Sequence, residues 1–531
     1  MGYTGETYRI DISQGGFTAN PNTDIIPPTS IIGGKNINFH QGGKRRRKGT
    51  VKVNGTAVSG VPEITAIIDF TLINGTQFIV FATSDGKIYK NSTTTIKTGL
   101  TANKIGCFCI FNNTLYYTNG TDTIQTWDGA AASTSNLTNP ATDWGAGDQP
   151  TQLLVHGKGN SERLCAFGSA DQPEAFYLSA NGSDNFVTGV VKISIKESTG
   201  DGGIIGGVDF GDNLIMYSKR RPYILTDDSL TVTDWGYTSA QFDGGVSNWR
   251  LICKTPNDVI CMTDDMDIYS ITAVQSYGDY KAASIARPSF IDTWIKDNCK
   301  VAQIAKSHMI FDPIRRAVLI FMVSNNSTNN EVDICLPLYI DRPVETAWGV
   351  PLDNVTYACG YDASCAAVVK KSAGVYAIYT GDYDGFIWEL ESGLTDDSNA
   401  FYSGLILPYV SADNVRIKKI WDNLWIVAIP YADTTLSVRV WMDGHLIVGE
   451  SNLVTESGDF LLTEDGYYLV TEEEQLWNLT FSINVDLVED MTNLGEEGKR
   501  IKIEIFNDSA TSDYLLSQVL LDFRNLGAQV L

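Results

Sequence analysis

The chain has 531 residues, room for roughly two to four domains, so its cores need no disulfide or metal staple. Its 39 Lys plus Arg stand against 63 Asp plus Glu, a formal net charge of −24 that repels polyphosphate and excludes a generic nucleic-acid-binding surface. Nine cysteines lack metal-type spacing, the opening residues lack the charged and apolar regions of a signal peptide, and no apolar run approaches ~18 residues; the expectation is a soluble chain with reduced thiols and no membrane insertion.

Residues 1–59 are rich in Gly and contain a proline-bearing linker, which predicts an extended N-terminal segment. It carries Gln41-Gly-Gly-Lys-Arg-Arg-Arg-Lys-Gly-Thr50, in which Lys44, Arg45, Arg46, Arg47 and Lys48 are consecutive cations. No aromatic residue interleaves them for base stacking, and the chain holds abundant carboxylates to pair with them. They are read as a charged edge segment leading into the next domain, or as candidate residues for docking on an acidic neighbouring subunit.

Helical periodicity is nearly absent, and short β-branched and aromatic runs bounded by Gly, Asn and Asp predict an all-β protein. From 60 to 395 they form a loose repeat of apolar strand, polar turn and strand ending in an aromatic. Its copies start at Asn74, Asn113, Arg163, Asp212, Asn257, Arg316 and Gly374. The spacing suits the four-stranded blades of a β-propeller, of about seven blades with six to eight possible. Asp85-Gly86 and Asp384-Gly385 are expected to supply positive-φ turns, and the glycine-rich stretch Gly202–Gly207 a flexible connection without phosphate-cradling residues. Cys107 and Cys109 share one face of a strand and are expected to be buried and unbridged.

Residues 396–531 change character. Leu436–Met442 and Ile501–Ile505 alternate apolar and polar, predicting a C-terminal β-sandwich or barrel. Octads starting at Leu453, Leu461 and Leu469 predict an acidic hairpin over about 450–480. From Val440 to Gly498 there are fourteen carboxylates and no Lys or Arg, most simply a solvated face. Glu456, Asp459, Glu464, Asp465, Glu472, Glu473 and Glu474 are the candidate acidic residues of that segment.

Four scattered histidines, and the absence of a nucleophile elbow, a Walker loop or a dinucleotide fingerprint, leave no catalytic, metal or cofactor residue to name. Among 63 acids some pair of carboxylates is bound to exist, so a glycosidase pair cannot be read from the sequence.

The N-terminal stretch Gly15–Gly49, the blade Arg163-Leu-Cys-Ala-Phe-Gly-Ser-Ala-Asp-Gln-Pro-Glu-Ala-Phe-Tyr-Leu-Ser179, and Phe210-Gly-Asp-Asn-Leu-Ile-Met-Tyr217 before Arg221-Pro-Tyr223 resemble virion-associated β-propeller proteins of tailed bacteriophages. The likeness is to the tail hub, or nozzle, proteins of short-tailed phages, and it covers the first 230 residues. It implies a non-enzymatic structural subunit of the virion tail, assembled in the host cytoplasm. It further implies a homo-oligomeric ring, a hexamer, below the portal and its adaptor, with fibres or spikes attached and genomic DNA passing without tight binding. On that reading the acidic segment faces the channel and leaves the duplex free to slide. The alternatives are a receptor- or glycan-binding propeller and, behind it, a polysaccharide hydrolase.

Overall fold

The computed structural model describes residues 5–526 apart from 23–24, 41, 158–160, 188–190, 228–231, 241–243, 275–278, 355, 373, 413, 433, 447, 450–474, 477–478 and 484–488. The chain forms two units, one of residues 48–348 and 352–397, the other of 1–47, 349–351 and 398–531.

The first unit is a β-propeller. Its sheets span 64–97, 107–136, 152–194, 204–239, 252–284, 308–339 and 365–390, each antiparallel. Each copy of the sequence repeat supplies the second and third strands of one sheet, as Gln77–Thr83 with Lys87–Lys90 do in the first and Val375–Gly381 with Ile387–Leu390 in the last. The first strands of successive sheets lie side by side, and the first strand of the seventh, Cys365–Ser372, lies against that of the first, Ile64–Thr71, which closes the ring.

Apolar side chains fill the gaps between neighbouring sheets. Cys165, Phe167, Phe176 and Leu178 of the third sheet pack on Leu214, Met216, Tyr223 and Leu225 of the fourth. At the closing junction Ile64, Phe81 and Tyr89 pack on Ala367, Tyr379 and Ile387, with the Phe81 and Tyr89 rings stacked 5.2 Å apart. A twisted sheet has two faces to cover, so each blade depends on both neighbours.

The fourth strand of the seventh sheet comes from the other end of the chain. Thr50–Lys52 pairs with Ile387–Leu390, in the register Trp388–Lys52, Glu389–Val51 and Leu390–Thr50. Buried Asn54 fixes it by donating to the Gly385 carbonyl at 2.9 Å and accepting the Ile387 N–H at 2.7 Å. The propeller therefore begins at residue 48, inside the segment expected to be extended.

The expected turns are present: Gly86 and Gly385 have φ of 76° and 78°. The flexible connection is not. Ile204–Phe210 is the first strand of the fourth sheet. Its glycines are small because a Cβ on Gly206 would lie 2.5 Å from the Gln152 amide oxygen and from Trp249 Cβ.

The second unit has two six-stranded sheets. In one, Tyr514–Asn525 pairs with Lys419–Pro430, Glu6–Asp11 and Gly43–Arg46. In the other, Ser403–Ile406 pairs with Gly33–Lys35 and with Ile501–Asn507, which in turn pairs with Thr434–Met442. The last strand alternates buried and accessible residues along its whole length, as the sequence predicts. Residues 1–47 are thus not a separate extended segment: they supply strands to both sheets. The acidic candidates from Glu456 to Glu474 lie outside the described residues; the strands on either side, Val448–Gly449 and Gln475–Leu476, pair antiparallel.

Candidate functional site

The first strands of the propeller sheets surround a chamber of about 260 Å³, lined by residues such as Thr65, Cys107, Gln152, His308 and Cys365, each from a different sheet. The fourth sheet offers glycine here, and Trp249 occupies the space that a side chain would take. Gln152 holds that glycine strand in place, its amide exchanging hydrogen bonds of 2.9 and 2.7 Å with the Gly207 carbonyl and N–H.

Asn248 starts the short 3-10 turn Trp249–Leu251, its side chain accepting the Arg250 N–H at 3.0 Å. The turn aims Arg250 into the ring, where 9% of the residue remains exposed. The guanidinium donates to the Ser364 carbonyl at 2.8 Å and the Lys306 carbonyl at 3.0 Å, so both terminal nitrogens are fixed, while Nε has no protein partner. Beside it His308 stacks on Phe321 with centroids 4.7 Å apart and planes at 8°. Burial, and then the charge on Arg250, hold the His308 imidazole well below its ordinary pKa, so the ring is neutral. Burial pushes the Glu63 carboxyl upward against the pull of Arg250 and Lys306.

Trp249 also lines a wider cavity of about 440 Å³, with Asn103, Lys104, Asn119, Thr121 and Asn248 around it. Trp249 is the residue these two cavities have in common.

The basic run is placed differently from its expected docking role. Lys44 is fully buried, donating to the Ser13 and Gly15 carbonyls at 3.3 and 2.5 Å and capping the Phe39 ring at 3.6 Å. Arg45 forms a two-pronged pair with Asp513 at 3.0 and 2.6 Å. Arg46 donates to the Ser509 and Ser512 carbonyls, and Arg47 to the Asn36 side-chain oxygen at 2.8 Å; both guanidinium groups lie on the Phe401 ring. These cations face inward and pin the N-terminal strands to the C-terminal ones, because backbone carbonyls and ring faces satisfy them there. Only Lys48 of the five has an exposed side chain, and its backbone N–H donates to Glu391 at 3.0 Å. Buried groups of this kind cannot meet a second subunit, which corrects the expectation for Lys44, Arg46 and Arg47.

Sequence reasoning missed Arg250 and His308 as a pair, since 58 residues separate them and neither sits in a motif; Asn248 before Trp249-Arg250 was the one local capping signal. All nine cysteines are buried and unbridged, and burial pushes the Cys107 and Cys365 thiols up to about 12, far from a reactive thiolate. Among the described residues no His, Cys, Asp and Glu cluster is arranged to hold a metal ion.

No family model and no curated protein matches the chain. Among solved structures it is similar to BBS1N, crystallised in complex with ARL6DN, at 10% identity and a TM-score of 0.42, over 66% of this chain and 97% of that one. It is similar to YCF48 from Cyanidioschyzon merolae at 12% identity and a TM-score of 0.38, over 64% and 98% of the two chains. The RRP9 WD40 repeats align at 8% identity and a TM-score of 0.40, over 65% and 99%. Similarity this distant says nothing of function.

Proposed function

We propose that the chain is a structural protein of a bacteriophage tail, a hub or nozzle subunit that forms a ring below the portal and adaptor and carries fibres or spikes. The observation that supports this reading best is the use made of the residues that carry the resemblance: they act as structural ties. Arg163 and Ser179, the two ends of the blade motif, meet through an Arg163 bond to the Ser179 carbonyl at 2.8 Å and a Leu164 N–H bond to the Ser179 hydroxyl at 2.8 Å. Between them Ser169 and the Ala170 N–H hold buried Asp148 at 2.9 and 2.6 Å. In the next sheet Arg221 and the Tyr223 hydroxyl converge on Asp201, at 3.0 and 2.7 Å. A motif built from buried ties describes a scaffold, and a scaffold that repeats in a ring fits the resemblance. The test is to mix the purified chain with a portal–adaptor complex and image it. Rings on the adaptor, with a lumen between copies wide enough for a duplex, support the reading, and a chain that stays monomeric and unattached overturns it.

A second reading, a glycan-binding tail propeller, rests on the cavity of about 440 Å³ and its combination of Trp249 with Asn103, Asn119, Thr121 and Asn248, side chains suited to stacking on and hydrogen-bonding a sugar. Saturable oligosaccharide binding lost in Trp249→Ala would favour it.

A further inference from the structure

We propose that the cavity between the fifth and sixth propeller sheets is a binding site for a primary ammonium group on a short apolar body, the chemistry of a small alkylamine or of a lysine side chain on another protein. The cavity measures about 230 Å³. That is several times the ~30 Å³ share of one water and below the roughly 300–1,000 Å³ of drug-sized sites, so a ligand the size of one side chain fits it.

Much of its lining is apolar. Ile260, Ile285, Leu338 and Ala347 are buried, and Val344, 37% exposed, carries the apolar wall out to the surface. The Trp348 indole N–H donates to the Ile285 carbonyl at 2.9 Å and ties the chain that follows the sixth sheet to the fifth. The cavity is therefore built into the seam between two blades.

One charge in this lining has no counterion. Asp258 lies two positions before Ile260, and Ser270 pairs with Ile260 across the sheet, so the three side chains share the face that lines the cavity. The Val259 N–H donates to one Asp258 oxygen at 2.7 Å and the Ser270 hydroxyl to the other. A carboxylate has about four lone-pair sites, so capacity for a further donor remains. Among the described residues no cation forms an ion pair with Asp258. Burial raises its carboxyl above the ordinary value, opposed by hydrogen bonds from Ser270 and the Val259 and Ile271 N–H groups. A ligand that brings a positive charge with its own donors relieves that cost.

Arg316 and Arg342 line the same cavity without neutralising Asp258. Arg316 pairs with Asp341 at 2.5 Å, and at Arg342 burial lowers the pKa against the pull of the Tyr339 hydroxyl. A hard metal cation is poorly served here: calcium takes about six to eight oxygen ligands, and among the described residues no His, Cys, Asp and Glu cluster is arranged to hold a metal ion. An alkylammonium uses both features, its charge on Asp258 and its body on the apolar wall.

The test uses the full chain at neutral pH and constant ionic strength, titrated with n-butylammonium and, as the uncharged analogue, n-butanol, and followed by ligand-detected NMR and thermal unfolding. The expected result is saturable binding of one butylammonium per chain with a raised Tm, and butanol weaker by about tenfold or more, the effect of one hydrogen bond to a charged group. Asp258→Asn keeps an acceptor for the Val259 N–H, removes the charge and is expected to bring the two probes to parity. Nα-acetyl-lysine methylamide carries the same ammonium on a peptide unit: affinity equal to that of butylammonium assigns the site to a lysine side chain, and its exclusion assigns the site to a free amine. Absence of saturable butylammonium binding to the wild-type chain, or equal affinity for butanol, overturns the proposal without any variant. A preference for butylammonium retained in Asp258→Asn overturns the role of the carboxylate.

Discussion

In the propeller, six of the seven sheets draw all their strands from one stretch of chain, and only the seventh borrows Thr50–Lys52 from far away. In the second unit both sheets are assembled from the two ends of the chain, down to Thr7 bonding Asp522 across 515 positions. Loop closure over such a distance adds only a slow logarithmic cost, so the difference lies in order of assembly more than in final stability. All strands of the propeller precede Tyr514–Asn525 in the chain, whereas the second unit cannot be completed before that last strand is made. Buried charge shows a related contrast: in the propeller Arg315 pairs with Asp312 and Glu391, whereas the second unit uses Lys44 to Arg47 as the bolt between its ends.

The largest break in this comparison is removal of residues 1–47. It takes strands from both sheets of the second unit and leaves Thr50–Lys52 in the propeller. Calorimetry is expected to lose the transition of the second unit entirely while the propeller still melts cooperatively; loss of both would show that the units do not fold independently.

Next in size is Arg315→Met. Its guanidinium is buried, bonded to Asp312 at 2.5 Å and Glu391 at 2.9 Å, and the neighbouring acids hold its pKa well above the ordinary value despite burial. Losing this cation costs about 3–5 kcal/mol because Asp312 stays buried without a counterion. Chemical denaturation should show this in the propeller transition alone.

Asn54→Ala strips both hydrogen bonds from the strand that closes the ring, leaving the Ile387 N–H unserved while the Gly385 carbonyl keeps the Val58 N–H, for about 1–3 kcal/mol. A propeller transition that does not move in denaturant would mean that the closing strand contributes little.

The pH dependence is smaller. His308 has a folded-state pKa depressed below the unfolded value near 6.5, so the unfolded chain binds its proton first. Its contribution is full above pH ~6.5 and is lost as pH falls from there toward the folded pKa. The propeller Tm should decline between pH 7.5 and 5.5, and His308→Phe should flatten that slope. Smallest of all, Lys418→Ala removes an exposed pair with Glu497 and is expected to leave either Tm unchanged within error.

The second and third strands of each sheet were legible because their alternation and turn residues are local: a tight turn needs its glycine wherever the strand lies, as Gly86 and Gly385 show. The closing strand was not, since Thr50-Val-Lys52 is short and ordinary and gains its meaning only from Ile387–Leu390 more than three hundred positions on. Gly206 read as flexible because sequence cannot show that Gln152 and Trp249 press against it.

The run Lys44 to Lys48 draws the line most clearly. Sequence alone determined that consecutive cations stand there without aromatics among them, and favoured protein over nucleic acid as what they meet. Which protein was a matter of tertiary structure. Carbonyls of Ser13, Gly15, Ser509 and Ser512, and the rings of Phe39 and Phe401, come from both ends of the chain to surround them. The same holds for Arg250 and His308, whose shared chamber exists only once seven sheets close into a ring. Charge and periodicity are properties of neighbours in sequence, while burial and partnership are properties of neighbours in space.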